Sequence, residues 1–246
     1  MDQEKYPFIE DEKKALIGAA NGILLYDLFW PYLALIIIQL ILGNNYNAIL
    51  ESNYHVLSLV LMIATCLFTL IASIFIARPK NILKSFDRFK QGDVKRIFST
   101  LGVMLLFTFT YNVLIISLGV DAIGGNANQS NVIDLIYGSP TLAFISMIIL
   151  APVLEEVTYR YFVYGGISKY NRKLAIVLSG FIFMCVHATA SFSQPVDDMF
   201  RELILLPPYM FSGMALAYSY DKTSNLAIPI AIHALNNLFS FIVCFL

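Results

Sequence analysis

The sequence predicts an all-α fold, a polytopic transmembrane helix bundle of about seven spans, and three observations predict it. Hydrophobic residues make up 58% of the 246 and charged residues only 13%, with a mean hydropathy of +0.71, far from the balance of a water-soluble domain. The apolar residues gather into runs of roughly 20, the length that crosses a bilayer as a helix. Lys and Arg are confined to a few short stretches between those runs, the asymmetry that orients membrane proteins. The lipid bilayer is therefore the first partner the composition implies, and nucleic acid is excluded as one. Cys66, Cys185 and Cys244 all lie in apolar runs, where a thiol behaves as a small hydrophobe, so no disulfide framework is expected.

Taken in order, the first 21 residues mix Asp2, Glu4, Glu10, Asp11 and Glu12 with Lys5, Lys13 and Lys14. That is unlike the basic start of a cleaved signal peptide, and the first apolar run is expected to be retained. The runs fall at 22–42, 56–77, 97–119, 141–167, 173–190, 203–220 and 225–246. An eighth, re-entrant piece has room in 1–21 or 121–140. In the sixth run Pro207 and Pro208 break the backbone hydrogen-bond ladder, which a bundle tolerates where neighbours satisfy the freed carbonyls.

Loops 43–55 and 120–140 carry no Lys or Arg, whereas 78–96 carries seven and the turn after the fourth run carries Lys169, Arg172 and Lys173. The basic sides are expected in the cytoplasm, which puts the N-terminus there too. Within 78–96, Ile82, Leu83, Phe86 and Phe89 recur at helical spacing. They read either as a helix lying on an anionic inner leaflet or as a solvated loop. Loop 120–140, rich in Gly and Asn, is expected to be a polar, flexible outer connection. No internal repeat is present, and the chain reads as one integrated membrane domain. Residues 1–140 hold an N-terminal segment and three spans, and 141–246 hold a core of four.

The fourth run contains charges that a membrane segment does not carry without cause. Each ionised side chain near the bilayer centre costs about 2.5–3.5 kcal/mol on insertion scales, yet Glu155, Glu156 and Arg160 sit there together. Glu156 and Arg160 are one helical turn apart and are expected to neutralise each other. Glu155 points about 100° away and is left free for chemistry. Of three histidines, His187 lies in the fifth run and His233 in the seventh, the latter sharing a helix face with Asn237, or with Asn236 in its place. At ~1.5 Å per residue, Glu155, His187 and Asn237 lie ~18–20 Å from the basic ends of their runs and His233 ~12 Å. One layer of the bilayer therefore holds them all. Ser179 with Gly180, and Gly213 with Ala217, are small enough to let those helices approach closely.

Glu155-Glu156-x-x-x-Arg160, then Phe183-x-x-x-His187, then His233-x-x-x-Asn237, on successive helices, resemble the motif set of the CPBP intramembrane proteases. That family holds the type II CAAX prenyl endopeptidases and the bacterial Abi and bacteriocin-immunity proteins. The resemblance covers about 140–246. It implies cleavage of a peptide bond near the membrane, with Glu155 and His187 acting on water and His233 and Asn237 stabilising the oxyanion.

The residue types permit that chemistry. A carboxylate in low dielectric is a stronger base, and Asn237 is a neutral donor suited to a developing oxyanion. Glu155, His187 and His233 would also make a three-ligand zinc site with an open position, although the helix-borne His-Glu-x-x-His pattern is missing. Both metal-independent and zinc-assisted hydrolysis stay open at this point. The expected function is an intramembrane endopeptidase of the bacterial cytoplasmic membrane, acting on a membrane-associated peptide or protein. A different reading is a non-catalytic Abi-type scaffold or bacteriocin-immunity protein that binds another membrane protein, such as a sensor kinase. A polar cavity open to the cytoplasm, gated by a sixth helix loosened at Pro207 and Pro208, completes the expectation.

Overall fold

The computed structural model describes residues 12–24, 30–43, 46–77, 82–86, 89–122 and 125–246, and among them there are helices and no strand. In chain order the helices are α1 (Glu12–Ala20), α2 (Trp30–Leu42), α3 (Tyr46–Ala77), α4 (Asp93–Ser117) and α5 (Ala127–Gly138). They continue with α6 (Pro140–Ser168), α7 (Arg172–His187), α8 (Met199–Ile204), α9 (Pro207–Thr223) and α10 (Ala227–Val243). The expected polytopic bundle is what forms. Its helices are less uniform than seven equal runs. Among the described residues three stretches are long and apolar enough to cross a membrane, Asn53–Phe75, Asp93–Ser117 and Pro140–Ser168. Helices α7, α9 and α10 have 16, 17 and 17 residues. The first expected run appears as α2 from Trp30, and 25–29 lie outside the described residues.

Exposed apolar side chains mark the lipid-facing sides. Phe98, Leu106 and Phe109 of α4, and Leu118 just after it, are all more than 60% exposed, a density of uncovered apolar surface that water would not tolerate. Helix α6 is the opposite case. All eight residues from Val157 to Tyr164 are buried, so this second half of the helix is enclosed on every side within the bundle.

Two stretches of α6 are π-helical, Phe144–Leu150 and Val157–Tyr164, with the α-helical turn Ala151–Glu156 between them. Pro152 accounts for the first. It has no N–H, and in a regular helix its ring would press on the carbonyl of Ile148. The wider turn relieves this, and Ala151 N–H donates to Ser146 O, five residues back. Such local widening is frequent at functional sites because it re-aims the side chains beside it. Here those side chains are Glu155 and Glu156.

Two expectations on the connections are corrected. Loop 120–140 is largely a helix: Asn126 stands just before α5, and its side chain accepts from Gln129 N–H at 3.1 Å and caps it. Pro207 and Pro208 do not kink a helix; they stand in the first turn of α9, where a missing N–H leaves no hydrogen bond unmade. The sixth run is accordingly split into α8 and α9. In the basic loop a single 3₁₀ turn, Ile82–Ser85, is described, tied to the start of α10 by Leu226 N–H donating to Ser85 O at 2.7 Å. The remaining call of a surface helix falls partly on 78–81 and 87–88, outside the described residues.

The N-terminal region is packed into this frame. Gly18 and Gly22 lie against Phe162 and Thr158 of α6, and Asn21 donates to Ser73 Oγ of α3 at 2.6 Å. Between α7 and α9 the contact is glycine on glycine. A Cβ on Gly180 would stand 2.8 Å from Met210 O and 2.9 Å from Met214 N, both backbone, and a Cβ on Gly213 would stand 2.9 Å from Gly180 Cα. Gly180→Val is expected to destabilise the fold by about 1–3 kcal/mol, the usual cost of overpacking, read as a lower thermal midpoint in detergent. An unchanged midpoint would show that α7 and α9 separate freely.

Candidate functional site

Helix α6 carries both glutamates into the centre of the bundle. Arg160 Nε lies 2.7 Å from Glu156 Oε2 and Nη2 donates to Glu156 Oε1 at 3.2 Å, a two-pronged pair in which both side chains are 0% exposed. The rest of the guanidinium is occupied as well. Nη1 donates to Ser179 Oγ of α7 at 3.2 Å, and Ser179 donates onward to Tyr159 O at 3.0 Å. The guanidinium carbon stands 5.2 Å from the Phe183 ring centroid, a cation–π contact in a desolvated setting.

From α10, His233 Nδ1 donates to Glu156 Oε1 at 2.9 Å, since a carboxylate can only accept. The nitrogen left over, Nε2, faces Glu155 Oε2 at 3.8 Å, beyond hydrogen-bond reach. That oxygen of Glu155 is buried and has no hydrogen-bond partner. Glu156 is thus paired with Arg160 and held by His233, whereas Glu155 stands outside that pair on the cavity side. His187, the last residue of α7, donates through Nδ1 to Phe183 O at 2.8 Å, which leaves Nε2 as the acceptor in the neutral ring. The imidazole is held between the rings of Phe183 and Tyr209, centroids 4.4 and 4.7 Å away. Asn237 spends one of its two N–H bonds on Met147 O, at 2.9 Å.

Glu155, His187, His233 and Asn237 all line one cavity of ≈ 260 Å³, so the four residues taken from three separate runs meet there. Gln129 of α5 and Asn236 of α10 stand on the same wall, carboxamides that both donate and accept. The cavity extends from Glu155 along the first half of α6 and the second half of α10 toward α5 and Thr189. That is the end of the bundle away from Lys169, Arg172 and Lys173. The expected opening on the side of the basic turns is therefore corrected: the wide π-helical second half of α6, filled by buried aromatic residues, closes that side. Among the described residues no three His, Cys, Asp or Glu side chains converge closely enough to hold a metal ion. The set Glu155, His187 and His233 has no preformed zinc geometry, and His233 Nδ1 is committed to Glu156.

Some of the site lay beyond sequence reasoning. Ser179 reads as a small packing residue, yet it is the lone hydroxyl in the run Leu174–Phe183 and holds Arg160; its polarity was the available signal. Tyr209, following two prolines, gave none. Its ring packs on His187 and its hydroxyl donates to Asn126 Oδ1 at 3.2 Å, linking the site to the cap of α5. Glu202 of α8, also buried, anchors the same region, its Oε2 accepting from Ala127 N–H at 2.9 Å and Ser191 Oγ at 2.6 Å.

With this geometry in place, similarity to known proteins is informative. Residues 137–239 match the family described as type II CAAX prenyl endopeptidase Rce1-like. The UPF0177 protein YxdF of Lactococcus lactis subsp. lactis is 27% identical over 162 residues, 65% of this chain and 80% of that protein. The protein named "Putative membrane peptidase YdiL" of Bacillus subtilis is 30% identical over 117 residues, 47% of this chain and 42% of its own length. A second Lactococcus protein, UPF0177 protein YvdC, is 23% identical over 193 residues, 78% of this chain and 69% of its own. No solved structure matches the chain.

Proposed function

We propose, from the match of residues 137–239 to the family described as type II CAAX prenyl endopeptidase Rce1-like, an intramembrane endopeptidase that hydrolyses a peptide bond with water activated by Glu155. The single observation that carries this reading is the Glu155 carboxylate on the cavity wall with a buried oxygen that accepts no hydrogen bond, beside a second glutamate ion-paired with Arg160 and hydrogen-bonded by His233. Two adjacent carboxylates in different environments, one buried in an ion pair and one on the cavity wall, are the arrangement that assigns one to structure and the other to chemistry.

The steps then follow. A water between Glu155 and His187 Nε2 gives a proton to Glu155 as its oxygen bonds to the substrate carbonyl carbon. The second N–H of Asn237 is a donor for the resulting oxyanion. His233, fixed through Nδ1 on Glu156, presents Nε2 toward Glu155. Glu155 returns its proton to the amide nitrogen as the carbon–nitrogen bond breaks, leaving a carboxyl group and an amine. Gln129 and Asn236 supply the donors and acceptors that an extended peptide backbone requires inside the membrane. The substrate class is a membrane-associated peptide or small membrane protein. Incubating the purified protein with a panel of such peptides, beside Glu155→Ala, tests the reading: a product formed by the wild type and absent from the variant supports it. Equal products would remove Glu155 from the reaction, and binding of a membrane protein without any cleavage favours the scaffold instead.

Access is part of the same proposal. With the basic turns in the cytoplasm, the bacterial membrane orientation the charges favour, the cavity faces outward. In a background lacking Cys66, Cys185 and Cys244, a cysteine at Ser240 on the cavity wall is expected to react with a membrane-impermeant thiol reagent added to intact cells. Reaction only in inverted vesicles would overturn the outward opening.

A further inference from the structure

At the basic end of the bundle a second opening lies outside the candidate site. A lateral groove of ≈ 610 Å³ runs between α4, α7 and α9. Its floor is apolar, formed by Val103, Ile176, Met214 and Ala215. Toward mid-bundle it ends at Phe211, which is stacked on Phe107 with centroids 3.9 Å apart. At its other end stand Lys95 and Arg96, with the hydroxyls of Ser99 and Thr100. Polarity therefore changes along the groove in one direction, from two cations to an aromatic stop.

The cations are not neutralised locally. Neither Lys95 nor Arg96 makes an ion pair among the described residues. The nearby acids face elsewhere: Asp93 is buried and accepts from Lys90 N–H at 2.7 Å, and Asp221 is held by Arg172 at 2.6 Å and Lys222 at 3.6 Å. Lys222 also lies over the Tyr218 ring, 5.1 Å from its centroid, adding positive charge beside the groove.

The groove opens sideways, on the surface of a helix long and apolar enough to cross the membrane, flanked by the exposed Phe98 and Leu106. What enters from that side comes from the lipid. An occupant that satisfies both ends needs a hydrocarbon chain for the floor and an uncompensated anion for Lys95 and Arg96. We propose that the groove binds one anionic phospholipid, with its phosphate at Lys95 and Arg96 and an acyl chain along Val103, Met214 and Ala215. Basic pockets between membrane helices recognise lipid head groups by this complementarity. A zwitterionic lipid carries its own cation and gains less. The bound lipid braces α4 against α7 and α9, the helices that carry His187 and Tyr209.

Native mass spectrometry of the purified full chain, incubated in detergent with dioleoyl phosphatidylglycerol or dioleoyl phosphatidylcholine, tests this. One phosphatidylglycerol is expected to be retained, with phosphatidylcholine about tenfold weaker or more. Lys95→Gln/Arg96→Gln is expected to lower phosphatidylglycerol retention about 30-fold, the loss of two cation–phosphate attractions. Ala215→Phe, filling the floor, is expected to weaken both lipids. A thermal midpoint at the wild-type value identifies each variant as folded. Equal retention of the two lipids, undiminished phosphatidylglycerol binding by the double variant, or full displacement by glycerol 3-phosphate would each overturn the lipid site. None of these readouts depends on peptide cleavage.

Discussion

Glu155→Gln is expected to lower peptide-bond cleavage by about 10²–10⁴-fold, the contribution of a positioned general base, while the protein folds as before. The substitution keeps the size and planarity of the side chain and removes its ability to take a proton. It breaks no bond on which the fold relies, because Glu155 Oε2 has no hydrogen-bond partner and its nearest ionic neighbour, His233 Nε2, is 3.8 Å away. Cleavage rate and thermal midpoint in detergent are measured on the same preparation. A variant that keeps more than about a tenth of the wild-type rate would remove Glu155 from the role of base, since that loss is well short of a base's share. A large drop in midpoint would instead assign it to the fold.

The neighbouring glutamate is expected to behave in the reverse way. Glu156→Ala leaves Arg160, 0% exposed, with Ser179 and the Phe183 and Tyr159 rings but no carboxylate pair, and strips His233 Nδ1 of its acceptor. Arg160→Ala leaves Glu156 buried with His233 alone. Each single replacement strands a charge in a dry interior and is expected to cost ~3–5 kcal/mol, seen as a lower midpoint and less folded protein. Glu156→Ala/Arg160→Ala removes both charges together and is expected to recover part of that loss, the non-additivity that marks a coupled pair. Singles as stable as the wild type would mean that the pair contributes nothing. Because Glu156 also orients His233, its replacement is expected to abolish cleavage in whatever fraction folds.

These contrasting outcomes separate what one chain of residues determines from what folding adds. The bundle was legible because apolar run length and the placement of Lys and Arg act locally, through the cost of exposing backbone and charge to lipid. The pairing of Glu156 with Arg160 was legible because residues four apart on a helix must be neighbours. His187, His233 and Asn237 could be singled out because polar groups in apolar runs are expensive and stand out. Nothing local decided which way the cavity faces. That depended on α5 folding as a capped helix across one end and on buried aromatic residues filling the other, both consequences of packing between segments distant in sequence. Pro207 and Pro208 show the same limit: a proline pair interrupts a helix or begins one, and the break between α8 and α9 settled which. The partners of the site, Ser179 on Arg160, Tyr209 on His187 and the Met147 carbonyl on Asn237, follow only from tertiary structure, because hydrogen bonds and ring contacts between helices depend on their relative height and rotation, which no spacing within a single helix specifies.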